Sequence, residues 1–302
     1  MTDLLLHIVI LLVFPPLLLG VINKTKAWFA GRVGPPVLQT YYDIAKLLRK
    51  GLVISDTTTW IFRAGPIVTL VTVLLAGLLI PLSRFPAPIA FTGDLILFAY
   101  LFGLARFFTT AAALDTGSPF EGMGAAREAT FACLSEPALF FALLVLAKAS
   151  GTLSLTTMLH GPAAGFAATT IAPLVCVSVG LFVVLLAEAC RIPVDDPTTH
   201  LELTMIHEVM VLDHSGPLLG VIEYAAALKL FVLGAVLLHV AVPFHASVAW
   251  TNWPLFLIEM LGLAVVIGAV ESMMARLQMR HVPYLLVAAT LFCGFGFILM
   301  VR

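Results

Sequence analysis

The chain has 302 residues, 61% of them hydrophobic and only 11% charged, where an ordinary soluble domain carries roughly a quarter charged residues. This excludes a soluble enzyme and marks an all-α polytopic protein whose solvent is the lipid bilayer, read as a single integral membrane domain over residues 1–302. The net charge of −1 and the lack of any long basic tract exclude a nucleic-acid partner.

Apolar runs of about 17 to 25 residues satisfy the length needed to cross a bilayer. They fall near 4–22, 65–82, 91–113, 128–148, 168–189, 219–242, 253–273 and 282–301, which predicts about eight transmembrane helices. The first run begins with Asp3 rather than a basic region and carries Pro15-Pro16 in its middle. It therefore reads as a kinked span and not as a cleaved signal peptide.

The connection after that run holds Lys24, Lys26, Arg32, Lys46, Arg49, Lys50 and Arg63. The next connection holds only Arg84, whereas Arg127, Arg191, Arg276 and Arg280 fall in alternate connections on the basic side. Positive charge accumulates in cytoplasmic loops, so the basic side is expected to be cytoplasmic and both termini outside. Within the basic connection Val37, Leu38, Tyr41, Ala45 and Leu48 recur at helical spacing, with Asp43, Lys46 and Lys50 on another face. Bounded by Pro35-Pro36 and Gly51, this is a short amphipathic helix on the cytoplasmic membrane surface, either a strap or a rim for a soluble partner.

Carboxylates in apolar surroundings are the main functional signal, because an acid at the bilayer centre costs about 2.5–3.5 kcal/mol even on lenient insertion scales. On a continuous helix Glu121, Glu128 and Glu136 fall within roughly 80° of one another and form a stripe. Like charges held close favour retention of a proton on one of them, which suits proton exchange. A structural alternative has Glu121 capping the helix start, Glu128 satisfied by Arg127 and Glu136 bonding backbone freed by Pro137. Glu188 and Glu223 flank the next long connection, whose Asp195, Asp196, His200, Glu202, His207, Glu208, Asp213 and His214 make a wet titratable loop. A proton path is expected through Glu121, Glu128, Glu136, Glu188, Asp196, Glu202, Glu208, Glu223 and Lys229, entering near Asp196, Glu202 and Glu208. Lys229 is expected to pair with Glu223 or another intramembrane acid, and Arg106 to act similarly. His7 and His239 are expected to meet backbone carbonyls, and Glu259 to reach the outer interface.

No metal site is expected. His207-Glu208 lacks the second histidine of a zinc-protease motif, since Val211 stands four residues on, and His200 with His207 has no third ligand. Cys133, Cys176, Cys190 and Cys293 are singletons. The chain should thus bind no cofactor itself.

Gly31-Arg32-Val33-Gly34-Pro35-Pro36, continuing through Leu38-Gln39, Asp43 and Lys46-Leu47-Leu48, resembles the first cytoplasmic connection of the subunit-1 family of respiratory complex I and its membrane-bound hydrogenase relatives. Leu114-Asp115-Thr116-Gly117-Ser118-Pro119-Phe120 before Arg127-Glu128, and Glu271-Ser272-Met273-Met274-Ala275-Arg276-Leu277, are similar to motifs of the formate hydrogenlyase and hydrogenase-4 branch. The complex I loop usually carries Phe-Asp beside a Glu-rich run, whereas Ile192 to Glu208 here looks like the group 4 nickel-iron hydrogenase version.

The resemblance implies a subunit of an oxidoreductase complex in a prokaryotic cytoplasmic membrane, without redox centres of its own. Nickel-iron and iron-sulfur groups would sit in the hydrogenase large and small subunits, and antiporter-like membrane subunits would be further partners. Arg32, Gly34, Pro35, Asp43, Lys46, Asp115, Phe120 and Arg276 are the expected docking residues. Quinone binding is put in doubt, since many members of the hydrogenase branch use none. A quinone-site subunit of NADH:quinone oxidoreductase is the second reading. A free-standing ion transporter is the third, and it would call for an inverted hydropathy repeat that the chain does not display.

Overall fold

A computed structural model describes residues 2–83, 85–160, 168–195, 205–242 and 249–301. The described residues form helices and connecting turns, with no strand. Lipid offers no hydrogen bonds, so a spanning chain must satisfy its backbone internally, and helices do this.

The first run is broken: α1 (Thr2–Val13) and α2 (Pro15–Phe29) meet at 47°. Pro15 and Pro16 remove two backbone donors at the junction, which accounts for a break rather than a gentle kink. The remaining predicted spans are α4 (Trp60–Leu79), α5 (Asp94–Asp115), α6 (Pro119–Ser150), α8 (Ala168–Glu188), α9 (Gly216–Ala241), α10 (Asn252–Met273) and α11 (Val282–Val301), with α3 (Gln39–Leu48) and α7 (Leu155–His160) as short connecting helices. Seven helices are long and apolar enough to cross a membrane, or eight crossings if α1 and α2 make one.

Two boundaries move for a common reason. The helix predicted to start near 128 starts at Pro119, and the one predicted to end at 22 runs to Phe29. Glu121, Arg127 and Glu128 in one case, and Lys24 and Lys26 in the other, interrupt hydropathy without interrupting helix. Pro119 is favoured at a first turn and Gly151, at φ +71°, ends α6 in the left-handed conformation.

α9 is the central post. Two-thirds of its spanning window (67%) is buried against 22% for α11, which places α11 at the lipid-facing rim. Phe231 of α9 is fully buried and meets Phe14 and Phe256 edge-on. Around it α4 packs on α5, α6 and α8 on α11, and α2 on α10. In lipid such contacts gain by close van der Waals packing, so small residues matter. A Cβ on Gly20 would lie 1.8 Å from the Val37 carbonyl oxygen, so Gly20 lets α2 carry the start of α3 against its backbone.

Periodicity predicts that α3 buries Val37, Leu38, Tyr41, Ala45 and Leu48. The buried residue is Ile44, and Leu47 sits against Gly220 of α9, while Leu38, Ala45 and Leu48 are exposed. Sideways packing on α9 rotates the seam away from the one that periodicity suggests.

Candidate functional site

Helix boundaries settle the register that brings the acids together. α5 carries Arg106 deep in the bundle, and its guanidinium reaches three carboxylates from two other helices. Nε donates to Glu128 Oε1 at 3.2 Å, Nη1 to Glu136 Oε1, and Nη2 to Glu188 Oε1. Glu188 also accepts from Ser135 Oγ at 3.0 Å and pairs with Lys229 Nζ of α9 at 2.7 Å. Three carboxylates thus share two cations, leaving a net charge of −1 if all are ionised. The side chain of Glu188 is 8% exposed and that of Glu136 is 44% exposed.

Glu128, Glu188, Arg106 and Lys229 line a cavity of about 120 Å³ together with His207, Glu208, His214 and Glu223. A water needs roughly 10–15 Å³ by this measure, so several fit among these polar walls. The rest of the lining is apolar, with Leu19, Pro66, Ala105, Met210 and Ile222 among it. Gly124 of α6 lets the segment above close down, since a Cβ there would meet Val209 Cγ1 at 2.4 Å.

Glu121 does not join the Arg106 cluster. It is fully buried and accepts the Asp213 backbone N–H at 3.0 Å, tying α6 to the connection before α9. Arg127 donates to the Met205 carbonyl rather than to Glu128, and Glu136 turns to Arg106 rather than to backbone near Pro137. Asp196, His200 and Glu202 lie outside the described residues.

His214 stacks on Phe62 with ring centroids 4.0 Å apart, and its Nε2 lies 3.3 Å from the Phe62 carbonyl oxygen. Burial holds its pKa below the ordinary imidazole value of 6.5. Cys190 is pushed well above the ordinary thiol value, chiefly by burial and also by the charges of Glu128 and Asp195. It is therefore held as a thiol. Among the described residues no group of three His, Cys, Asp or Glu side chains could hold a metal.

A second ionic cluster, which the sequence signalled only as parts of motifs, lies at the basic end. Glu271 of α10, with a fully buried side chain, pairs with Lys26 of α2 at 2.8 Å and with Arg191 at 3.5 Å. Asp195 accepts from Arg276 at 3.0 Å and from the backbone N–H groups of Ile206 and His207. These bonds hold the segment after α8 to α2 and α10. Of the expected docking residues, Arg276 is thus engaged within the chain. Asp115 accepts from Thr59 N, Thr59 Oγ1 and Phe62 N at the start of α4, and Asp43 accepts from Gln39. Arg32, Gly34, Pro35, Lys46 and Phe120 are exposed. His7 and His239 meet the Gly77, Ala235 and Ser83 carbonyls, and Glu259 lies on the exposed side of α10.

The NADH dehydrogenase family profile matches residues 2–302. Formate hydrogenlyase subunit 4 of Escherichia coli K12 is 32% identical over 303 residues, covering 97% of this chain and 94% of that one. Hydrogenase-4 component C of the same organism is 33% identical, over 92% and 89% of the two chains. A membrane component of the NADH-quinone oxidoreductase of Polaromonas naphthalenivorans is more distant, at 28% over 67% of this chain and 59% of its own. In fold, a chain of the membrane-bound sulfane sulfur reductase, an archaeal respiratory membrane complex, superposes with a TM-score of 0.83 over 98% of this chain and 97% of its own, at 21% identity. With the profile covering nearly every residue and two relatives above 30% identity over most of their length, the chain belongs to the NADH dehydrogenase family of complex I subunit 1 type.

Proposed function

We propose that the chain is the membrane-anchoring, proton-conducting subunit of a multisubunit membrane-bound hydrogenase, seating a soluble nickel-iron and iron-sulfur arm and linking it to antiporter-like subunits. One observation carries the reading: three carboxylates share two cations beside a cavity, roomy enough for water, that also holds Glu208 and Glu223. Such a set takes up a proton without acquiring excess positive charge, and ordered water relays protons between groups a few ångströms apart. Protons would enter from the basic, cytoplasmic side near Asp196, Glu202 and Glu208. They would pass Glu223 and Lys229 to Glu188 and Glu128, and leave through the exposed side of Glu136 toward a neighbouring membrane subunit. Glu121 would then serve the connection above this path. Eight crossings would leave both termini outside.

The similarity to formate hydrogenlyase subunit 4 and hydrogenase-4 component C favours the hydrogenase branch over a quinone-reducing complex. Docking would use the exposed Arg32-Gly34-Pro35 loop and Phe120, with Asp115, Asp43 and Arg276 shaping that surface from within the chain. Affinity purification of the chain from its native membrane, followed by metal analysis, tests the reading. A co-purifying nickel-containing large subunit is expected, and Arg32→Glu should leave that subunit in the soluble fraction. A complex with no nickel and a quinone-reducing NADH module would overturn it.

A further inference from the structure

The exposed face of α3 carries a charge pattern that the proton path and the docking loop leave unused. Tyr42, Ala45, Lys46, Arg49 and Lys50 line one shallow open concavity on that helix, and all five are exposed. No carboxylate among the described residues pairs with Lys46, Arg49 or Lys50; the neighbouring Asp43 is held by Gln39 Nε2 at 2.8 Å. Other cations at this end are consumed within the chain, with Lys24 on the Val33 carbonyl, Lys26 and Arg191 on Glu271, and Arg276 on Asp195.

The depth of α3 decides what such a face meets. Its start lies against Gly20 in the middle of α2, its Leu47 against Gly220 in the first turns of α9, and the Gly51 carbonyl against Gly216. The helix therefore lies flat across the ends of the spanning bundle. α2 continues nine residues beyond Gly20, about 13 Å at 1.5 Å per residue, and lifts Phe29 and the Arg32 loop well clear of α3. Tyr42 is 61% and Trp60 69% exposed at this level, and amphipathic aromatics concentrate at headgroup depth. Leu38 and Leu48, both about half exposed on the same helix, offer apolar surface to acyl chains.

We propose that the Lys46, Arg49 and Lys50 face of α3 binds the headgroup of an anionic phospholipid. Three cations beside a tyrosine at the interface complement a phosphodiester, and each Lys or Arg near an anionic membrane surface adds about 1 kcal/mol of attraction. On this assignment Lys46 is a lipid contact, not a docking residue, and the inference stands independently of which redox arm the chain seats.

The test uses the purified complex in nanodiscs of defined composition, with a photoactivatable phosphatidylglycerol and its phosphatidylcholine counterpart as probes. Wild type should label α3 with the anionic probe in clear excess. Lys46→Gln, Arg49→Gln and Lys50→Gln together should lower that labelling on the order of tenfold or more, with the soluble arm retained. The charge-preserving Lys46→Arg, Lys50→Arg double variant should label like wild type. Equal labelling by both lipids, or undiminished labelling of the triple variant, overturns the proposal. So does loss of labelling to excess inorganic phosphate, which marks a free-anion site, or loss of the soluble arm with labelling intact, which marks a protein interface. If the triple variant fails to accumulate, Arg49→Gln alone is read against the same two lipids, and unchanged labelling again overturns the idea.

Discussion

The two ionic clusters are built from the same side-chain types in opposite proportions. Around Arg106 three carboxylates share two cations beside a cavity. At the basic end three cations, Lys26, Arg191 and Arg276, meet two carboxylates, Glu271 and Asp195, whose side chains are 0% and 2% exposed. Asp195 is further committed to two backbone N–H groups. An acid held by excess positive charge and fixed donors keeps its ionised form; a carboxylate in excess has a reason to share a proton. The second cluster is a latch between α2, α10 and the segment after α8, and the first has the composition of a relay.

The largest effect is expected from Arg106→Leu, which strands Glu128, Glu136 and Glu188 with only Lys229 to offset them. Removing one partner of a buried ionic set costs about 3–5 kcal/mol. The variant should fail to accumulate in membranes, and adding Glu136→Gln and Glu128→Gln should restore part of the yield. Normal yield of the single variant would show that Arg106 is not the hub. Glu271→Gln should come next, destabilising by about 3 kcal/mol as Lys26 and Arg191 lose their shared partner. It should lower the thermal midpoint in detergent, while whatever complex assembles keeps the proton movement per turnover of wild type. A coupling defect at unchanged thermal midpoint would move Glu271 from latch to relay.

Glu128→Gln and Glu136→Gln keep shape and hydrogen-bonding capacity without the ionisable group. A change of about 1 kcal/mol or less in stability is expected, with correct assembly and impaired turnover or coupling. Unchanged rates and proton movement in both variants would make the Arg106 cluster a second latch. The smallest expected effect belongs to His214. Its lowered pKa means that the unfolded chain binds more protons between the ordinary 6.5 and the folded value, so its contribution is present above 6.5 and is lost as pH falls through that window. Comparing the thermal midpoint of wild type and His214→Gln across mildly acidic pH should show a shallower fall in the variant. Parallel curves would mean that the buried imidazole is not felt.

Much of the helix content was legible because lipid imposes length and apolarity directly on sequence. The start of α6 and the far half of α2 were not, since Glu121, Arg127, Lys24 and Lys26 end the apolar run while their partners sit on other elements. α7 lacks the length to announce itself. Its position depends on the fully buried Asp94, which accepts the Leu155 N–H at 2.7 Å from across the outer end of the bundle.

The acids of the candidate site could be named from sequence because a carboxylate in an apolar run is conspicuous. Their grouping could not. Periodicity put Glu121 on one stripe with Glu128 and Glu136, yet the first is taken by the Asp213 N–H and the other two by Arg106. Arg106 stood out only as a lone cation within the third predicted span. By itself the sequence determined solvent, helix number and the presence of buried charge, because these follow from composition along one dimension. Only the tertiary structure decided which charge meets which, because Coulomb and hydrogen-bond energies depend on distances of a few ångströms between residues as far apart in the chain as Arg106 and Glu188.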